Sequence, residues 1–247
     1  MVAVVTGGAS GIGLAACRKL AEDKFQLVVS DINEVAGKEF VEVLKENDAD
    51  AIFYKSDVSS YVEVQTLIEK TVSHFGQIDL LVNNAGIGPK SYMRVADHTL
   101  EDWDKVIAVN QSGVFYGMKA ALPHMVKQKS GNIINISSVA GIKASTTGIS
   151  YSASKFAVVG MTKSAALEYA RYNIRINCVC PSFTHTPLFE NDLLEDYPEL
   201  KAKLLRSIPQ RRFAETSEIA DAISWLASEK SSYVTGHALP IDGGISL

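Results

Sequence analysis

The sequence contains few of the features that mark secreted, membrane or nucleic-acid-binding proteins. It has three cysteines, and two of them, Cys178 and Cys180, lie two residues apart in a predicted strand, which is a poor geometry for pairing. No apolar run approaches the roughly 18 residues that span a membrane. The N-terminus lacks the basic region of a signal peptide. The net charge of −4 has no basic stripe. We therefore expect a cytoplasmic protein with reduced cysteines that binds neither nucleic acid nor membrane.

The histidines are too dispersed to suggest a metal centre. None of the five has a second ligand at metal-binding spacing, so the sequence predicts no metal. They are His74, His98, His124, His185 and His237.

Short apolar segments alternate with segments of helical length along the whole chain. Strands are predicted at residues 2–5, 26–30, 51–54, 78–82, 132–136, 174–179 and 238–241. Helices are predicted at 34–46, 62–75, 100–128 with an interruption near Asn110, 150–172 and 216–228. In the helix 34–46 we expect Val35, Phe40, Val41 and Leu44 to face inward. This alternation predicts one α/β domain over residues 1–247, a doubly wound (Rossmann) parallel sheet of about seven strands with helices on both faces.

A glycine-rich turn follows the first strand and opens the first helix. Gly7, Gly11 and Gly13 allow a tight turn and a close approach of the backbone to a pyrophosphate, which the helix N-terminus would attract. Asp31 closes the second strand, eighteen residues after Gly13. Its carboxylate can bind both ribose hydroxyls of NAD and would repel a 2′-phosphate. Asp31 can also serve as the N-cap of the helix that follows.

Tyr151 and Lys155 stand four residues apart in the predicted helix 150–172, and so on one helical face. A neighbouring ammonium favours the phenolate, so we expect Lys155 to lower the pKa of Tyr151 from its ordinary value near ~10. Such a phenol could act as a general acid or base near neutral pH.

Ser138 lies thirteen residues before Tyr151, and the resulting Ser…Tyr-x-x-x-Lys pattern resembles that of the short-chain dehydrogenase/reductases. The resemblance extends over nearly the whole chain, through the segments 6–13, 83–86, Asn110 and 241–244. It implies that Ser138 stabilises charge on the substrate oxygen, that Lys155 also holds the cofactor ribose, and that Asn110 completes a water-linked proton path to Lys155.

The resemblance further implies a set of cofactor contacts at the ends of the strands. Relatives that prefer NADP usually carry a basic residue where this chain has Ser10 or Ile32, so we expect NAD(H) to be preferred over NADP(H). Ser182 stands where the family commonly has glycine. The implied contacts are Gly7, Ser10, Gly11, Ile12, Gly13, Asp31, Ile32, Asp57, Val58, Asn84, Ala85, Gly86, Tyr151, Lys155, Thr184 and Thr186.

The substrate is the least determined part of the prediction. Residues 183–213 lack a strand pattern and predict a lid over a small uncharged ketone or secondary alcohol, although a surface helical hairpin would fit the same pattern. We interpret His185, in this segment, as a loop residue in preference to a catalytic one. The resemblance implies a homotetramer. Two alternatives remain: a 3-oxoacyl thioester reductase, and a cofactor-sensing protein without turnover.

Overall fold

The computed structural model describes residues 1–189 and 198–247. Seven parallel strands form one sheet in the order β3-β2-β1-β4-β5-β6-β7. They are β1 Val2–Thr6, β2 Gln26–Asp31, β3 Ala51–Lys55, β4 Leu80–Asn83, β5 Gly131–Ile136, β6 Ile174–Pro181 and β7 Ala238–Ile241. The predicted doubly wound fold is confirmed, with strand ends that differ from the predicted bounds by one or two residues.

Helices cover both faces of the sheet. They are α1 Gly11–Glu22, α2 Glu34–Glu46, α3 Tyr61–Phe75, α4 Leu100–Ile107, α5 Gly113–Gln128, α6 Ile149–Tyr169, α7 Pro198–Ser207 and α8 Thr216–Ala227. Over the described residues, no helix combines the length and the apolar character needed to cross a membrane.

The strands are buried because side chains from their two sides enter two separate cores. Ala3 and Val5 of β1 pack in one core with α1, α2 and α8, whereas Val4 packs in the other with α3, α5 and α6. Neighbouring residues of a strand point to opposite faces, so every residue of β1 is buried. This explains why a strand such as β1 has a continuous apolar sequence with no polar alternation.

One prediction about the packing of α2 is wrong. Val35 was expected to face inward, but its side chain is 67% exposed. The buried residues of α2 are Gly37, Phe40, Val41 and Leu44, which follow the i, i+3, i+4, i+7 pattern. Val35 lies two residues before Gly37 and therefore faces nearly the opposite way, since two residues correspond to about 200° of helical rotation.

The interruption predicted near Asn110 is a five-residue π-helical turn, Ala108–Ser112, between α4 and α5. Asn110 is completely buried within it. Single π turns inside helices occur frequently at functional sites because they redirect a side chain. This turn aims Asn110 at the chain that leaves β4.

The strand order reverses between β1 and β4, whose neighbours lie on opposite sides. At such a point the loops after adjacent strands leave in opposite directions and open a crevice at the carboxyl edge of the sheet. The segments predicted to bind the cofactor all follow strands at this edge.

Candidate active site

The turn between β1 and α1 favours glycine through its backbone angles at Gly7 and Gly11 and through lack of space at Gly7 and Gly13. Gly7 and Gly11 have φ angles of +64° and +51°, in the left-handed region that favours glycine. A Cβ on Gly13 would lie 2.0 Å from the Gly7 carbonyl oxygen. The α1 N-terminus has no side-chain cap and no acidic residue in its first turn. A narrow backbone cradle next to an uncapped helix N-terminus fits a dinucleotide pyrophosphate.

Asn84 and Thr6 hold this turn in place. The Asn84 amide donates to the carbonyl oxygens of Thr6 and Gly7, at 2.9 and 3.0 Å. The Thr6 hydroxyl accepts hydrogen bonds from the backbone N–H groups of Asn84 and Ala85. The Asn84 side chain, predicted to line the cofactor, is therefore engaged with the glycine turn. The sequence predicts no role for Thr6, because only the structure shows that its hydroxyl joins the ends of β1 and β4.

Asp31 lies at the end of β2, next to the glycine turn. Its carboxylate accepts hydrogen bonds from the backbone N–H groups of Ala9 at 3.1 Å and Asn33 at 2.9 Å. The N-cap of α2 is Asn33, whose side chain accepts from Ala36, so the suggestion that Asp31 also caps this helix is wrong. Ser10 and Ile32 are exposed and neutral, so neither of these positions places a basic side chain beside the carboxylate.

Two further pairs of predicted contacts lie at the same edge of the sheet. Val58 is buried and packs against Gly113, at the start of α5, while the Asp57 carboxylate accepts from Ser59. Thr184 and Thr186 follow β6, and the Thr186 side chain lies 3.4 Å from where a Cβ of Gly11 would be. The segment after β6 therefore reaches across to the glycine turn. Ser182 keeps a backbone hydrogen bond to Ile241 of β7, so its replacement of glycine leaves the strand pairing intact.

Ser138 and Lys155 are buried, and Tyr151 lies half-buried in one cluster with them. Ser138 caps a 3₁₀ turn, Val139–Gly141, after β5, where its hydroxyl accepts from the Ala140 N–H at 3.1 Å, and the same hydroxyl is close enough to Tyr151 to favour its phenolate. The Lys155 ammonium lies 5.6 Å from the centre of the Tyr151 ring and donates to the Ile136 carbonyl oxygen at 2.9 Å. Lys155 is 3% exposed, so this cation is almost completely desolvated. The structure brings together these three residues, which are far apart or one turn apart in the sequence.

The sequence predicts that Lys155 lowers the pKa of Tyr151, and for the chain without cofactor this prediction is wrong. Burial raises the pKa of Tyr151 to about 12, and the hydrogen bond from Ser138 opposes that rise only partly. Burial also lowers the pKa of Lys155 to about 8. Desolvation disfavours both charged forms, and it is the largest influence on each of the two pKa values. The chain alone therefore keeps the phenol protonated at neutral pH.

Asn110 approaches this cluster from the π turn. Its side chain accepts from the Ile87 N–H at 2.8 Å and donates to the Ile87 carbonyl oxygen at 2.9 Å. It also donates to Ser154 of α6 at 3.3 Å. A side chain on Gly86 would lie 3.3 Å from the Asn110 oxygen and 3.5 Å from the Lys155 nitrogen. The absence of a side chain at Gly86 therefore leaves space between Asn110 and Lys155, while their link in a proton path stays a prediction.

The segment predicted to form a lid is described only in part. Residues 190–197, which include Leu193, Leu194 and Tyr197, lie outside the described residues. The remainder contributes Phe183, Phe189, Leu204, Ile208 and Phe213 to a small apolar cluster with Ile245. His185 packs its ring edge-on against Phe213, and its Nε2 lies 3.9 Å from a Glu215 carboxylate oxygen. In the described part of the chain, no group of three or more His, Cys, Asp or Glu residues could hold a metal ion.

Known proteins match this chain over almost its full length. A family model described as enoyl-(acyl carrier protein) reductase matches residues 7–246. Glucose 1-dehydrogenase 2 of Bacillus subtilis (strain 168) is 38% identical over 99% of this chain and 94% of its own. The 3-oxoacyl-(acyl-carrier-protein) reductase FabG of Thermotoga maritima is 39% identical over 100% of this chain and 98% of its own.

Solved structures agree with these sequence matches. The crystal structure of levodione reductase superposes with a TM-score of 0.96 at 35% identity, covering 99% of this chain and 97% of that one. That of NAD⁺-bound xylitol dehydrogenase has a TM-score of 0.92 at 32% identity and covers 98% of each chain. The chain therefore belongs to the short-chain dehydrogenase/reductase family, whose members are oxidoreductases of alcohols and ketones that use a nicotinamide cofactor.

Proposed function

We propose that this protein transfers a hydride between NAD(H) and a small uncharged secondary alcohol or ketone, with Tyr151 as the general acid or base. The observation that carries the proposal is the cluster in which the Ser138 hydroxyl acts on Tyr151 and the Lys155 ammonium lies 5.6 Å from the centre of the Tyr151 ring. This cluster follows β5 at the same edge of the sheet as the glycine turn. A bound carbonyl oxygen would meet two hydroxyl donors there, which stabilise negative charge as it develops.

The nicotinamide cofactor, when bound, supplies or accepts the hydride. The chain's own residues deal with the proton. In reduction, Tyr151 donates its proton to the carbonyl oxygen, and Ser138 holds that oxygen by a hydrogen bond. With a pKa of about 12, the phenol carries this proton throughout the neutral range. Oxidation needs the phenolate, so we expect its rate to rise with pH while reduction dominates near neutrality.

The preference for NAD(H) rests on the surroundings of Asp31. Its carboxylate is held by two backbone N–H groups, so it is fixed beside the glycine turn. A 2′-phosphate placed there would meet this negative charge, and the neutral Ser10 and Ile32 could not compensate for it. Two neutral ribose hydroxyls could instead donate hydrogen bonds to the same carboxylate.

The first test is an absorbance assay of NADH and NADPH oxidation over a panel of ketones, with the reverse reaction measured over the matching alcohols. Tyr151→Phe should abolish turnover while NADH still binds, since only the hydroxyl is lost. Tyr233→Phe is the matched control, because Tyr233 is fully exposed. Substantial turnover by Tyr151→Phe would exclude the assigned role.

A 3-oxoacyl thioester reductase remains the second candidate. The 39% identity to the FabG reductase of Thermotoga maritima favours it. The carboxylate of Asp31, with the neutral Ser10 and Ile32 beside it, argues against an NADPH-dependent reductase of this kind. A 3-oxoacyl thioester in the same substrate panel distinguishes the two. A cofactor sensor without turnover would lack activity throughout the panel, but the intact set Asn110, Ser138, Tyr151 and Lys155 argues against it.

We also propose a homotetramer in the cytoplasm, with one interface formed by α5 and α6. Phe115, Phe156 and Leu167 are exposed on these helices. Gly160 lies between Phe156 and Leu167, and a Cβ there would meet none of the described residues within 4 Å. Glycine costs about 1 kcal/mol relative to alanine within a helix, and it allows another helix to approach closely. Phe156→Glu should lower the mass measured by light scattering, whereas an unchanged mass would place the interface elsewhere.

A further inference from the structure

The later part of the segment that leads from β4 to α4 is exposed except at one histidine. Every residue from 90 to 101 is exposed except His98. The His98 side chain is only 6% exposed, although the residues on both sides of it face solvent. Met93, Arg94 and Val95 of this segment line one wall of a cavity of about 550 Å³ next to α6, with Thr147 and Ile149 on the other side. His98 therefore gives this wall a buried anchor, in addition to the Tyr92 ring, which lies beside Gly148 at the start of α6.

His98 contacts two buried polar groups. Its Nε2 lies 3.4 Å from the Ser150 hydroxyl and 3.7 Å from the Asp102 carboxylate. Both partners are buried, with Ser150 completely inaccessible. Within the described chain, the other ring nitrogen, Nδ1, is buried without a hydrogen-bond partner. The anchor is therefore made through Nε2 alone.

Asp102 is itself held in a fixed position. It lies in the first turn of α4, where a carboxylate is stabilised by the helix N-terminus. Its second oxygen accepts from the Lys90 N–H at 3.0 Å, at the other end of the exposed segment. The group of His98, Asp102 and Ser150 therefore joins the loop after β4, the start of α4 and the start of α6.

The start of α6 lacks the usual means of stabilisation. Its N-cap is Gly148, which provides no side-chain hydrogen bond, and its first turn contains no acidic residue. Caps of this kind typically contribute about 1 kcal/mol and fix the first turn. Ser150 and Tyr151 are both in that turn, as its second and third residues. The contact between Ser150 and His98 thus supports the turn that carries the Tyr151 hydroxyl.

We propose that His98, held by Asp102, is a positioning residue for Tyr151 and for the wall formed by residues 93–95. This rests on the proposed function, in which Tyr151 exchanges a proton with the substrate. Loss of the anchor should leave the cofactor cradle intact, because, among the described residues, the Asp31 carboxylate and the glycine turn accept hydrogen bonds from Ala9, Asn33 and Asn84. It would instead misplace the phenol, and a displacement of about 1 Å at a reacting group can cost roughly a hundredfold in rate.

The test compares His98→Ala and His98→Gln with the control His74→Ala, which removes an exposed histidine on α3. For His98→Ala we expect kcat to fall by at least about tenfold while the KM for NADH stays within about twofold. His98→Gln keeps an N–H donor of similar reach and should recover part of kcat. Asp102→Asn keeps an oxygen that can accept from the Lys90 N–H, so its kcat should lie between those of His98→Ala and His98→Gln. A kcat for His98→Ala equal to that of wild type would overturn the proposal.

Limited proteolysis measures how firmly His98 holds this segment and does not depend on enzymatic activity. Lys90 and Arg94 are exposed trypsin sites in the anchored segment. Cleavage there should be about tenfold faster in His98→Ala than in wild type or His74→Ala, because local opening exposes the backbone. Unchanged cleavage would overturn the anchoring role. If the wild-type protein turned over no carbonyl compound or alcohol, the proposed function would fail, and the cleavage rates would still decide whether His98 holds the segment.

Discussion

Gly13→Ala provides a sharp test of the cofactor cradle, because the cost of a single methyl group can be estimated from the structure. The added Cβ would lie 2.0 Å from the Gly7 oxygen and 2.5 Å from the Asn84 amide nitrogen. A carbon and an oxygen normally approach to about 3.3 Å, so the turn must move by about 1.3 Å. Overpacking of this kind costs about 1–3 kcal/mol of stability.

The same movement displaces the N–H groups that face the pyrophosphate. Losing one hydrogen bond to a charged group costs about 1.5–3 kcal/mol, which corresponds to a Kd for NADH weakened roughly 10- to 150-fold. NADH fluorescence titration measures the affinity, and urea unfolding measures the stability.

Gly131→Ala is the matched control for this experiment. Its Cβ would lie 2.5 Å from the sulfur of Met125 and 2.7 Å from its Cβ, at the start of β5 and so at the opposite edge of the sheet. It should lose stability with little change in Kd. If Gly13→Ala lost stability and still bound NADH within about twofold of wild type, the pyrophosphate could not lie against this turn.

Two further predictions concern Asp31 and Lys155. Asp31→Ala combined with Ile32→Arg should raise the ratio of kcat/KM for NADPH over NADH by at least about tenfold, since it replaces a repulsive charge with an attractive one; an unchanged ratio in steady-state kinetics would contradict the role of Asp31. Lys155→Met should abolish turnover and yet raise the free energy of unfolding at pH 7 by up to about 3 kcal/mol. Because burial holds the pKa of Lys155 at about 8, below its usual 10.5, the penalty is complete below pH 8 and disappears above about pH 10.5. Urea unfolding at pH 7 and pH 10 should therefore show a smaller gain at the higher pH, and a loss of stability at pH 7 would contradict the estimate.

Contacts between residues close in the sequence were predictable, and so was the fold built from them. Continuous apolar strands, the glycine turn and the spacing of Tyr151 and Lys155 are local patterns, and each one specifies its own geometry. The interruption at Asn110 was also visible, although its π-helical form was not. Val35 is apolar, but its angular position on α2 places it on the exposed face, away from Phe40, Val41 and Leu44.

These local patterns did not predict the tertiary contacts. The hydroxyl of Thr6 bridges two strands that are far apart in the sequence, and Asn33 takes the capping role that Asp31 was expected to share. His98, Asp102 and Ser150 come from three separate elements, and nothing in their spacing indicates that they meet.

The sequence by itself determined the order of strands and helices, the glycine cradle and the identity of the residues at the candidate site. Only the tertiary structure decided their electrostatics, because a pKa depends on how completely each group is removed from water as well as on which groups are near. Lys155 is four residues from Tyr151 in any helix, but only the folded core shows that burial holds the pKa of the phenol near 12 and that of the amine near 8.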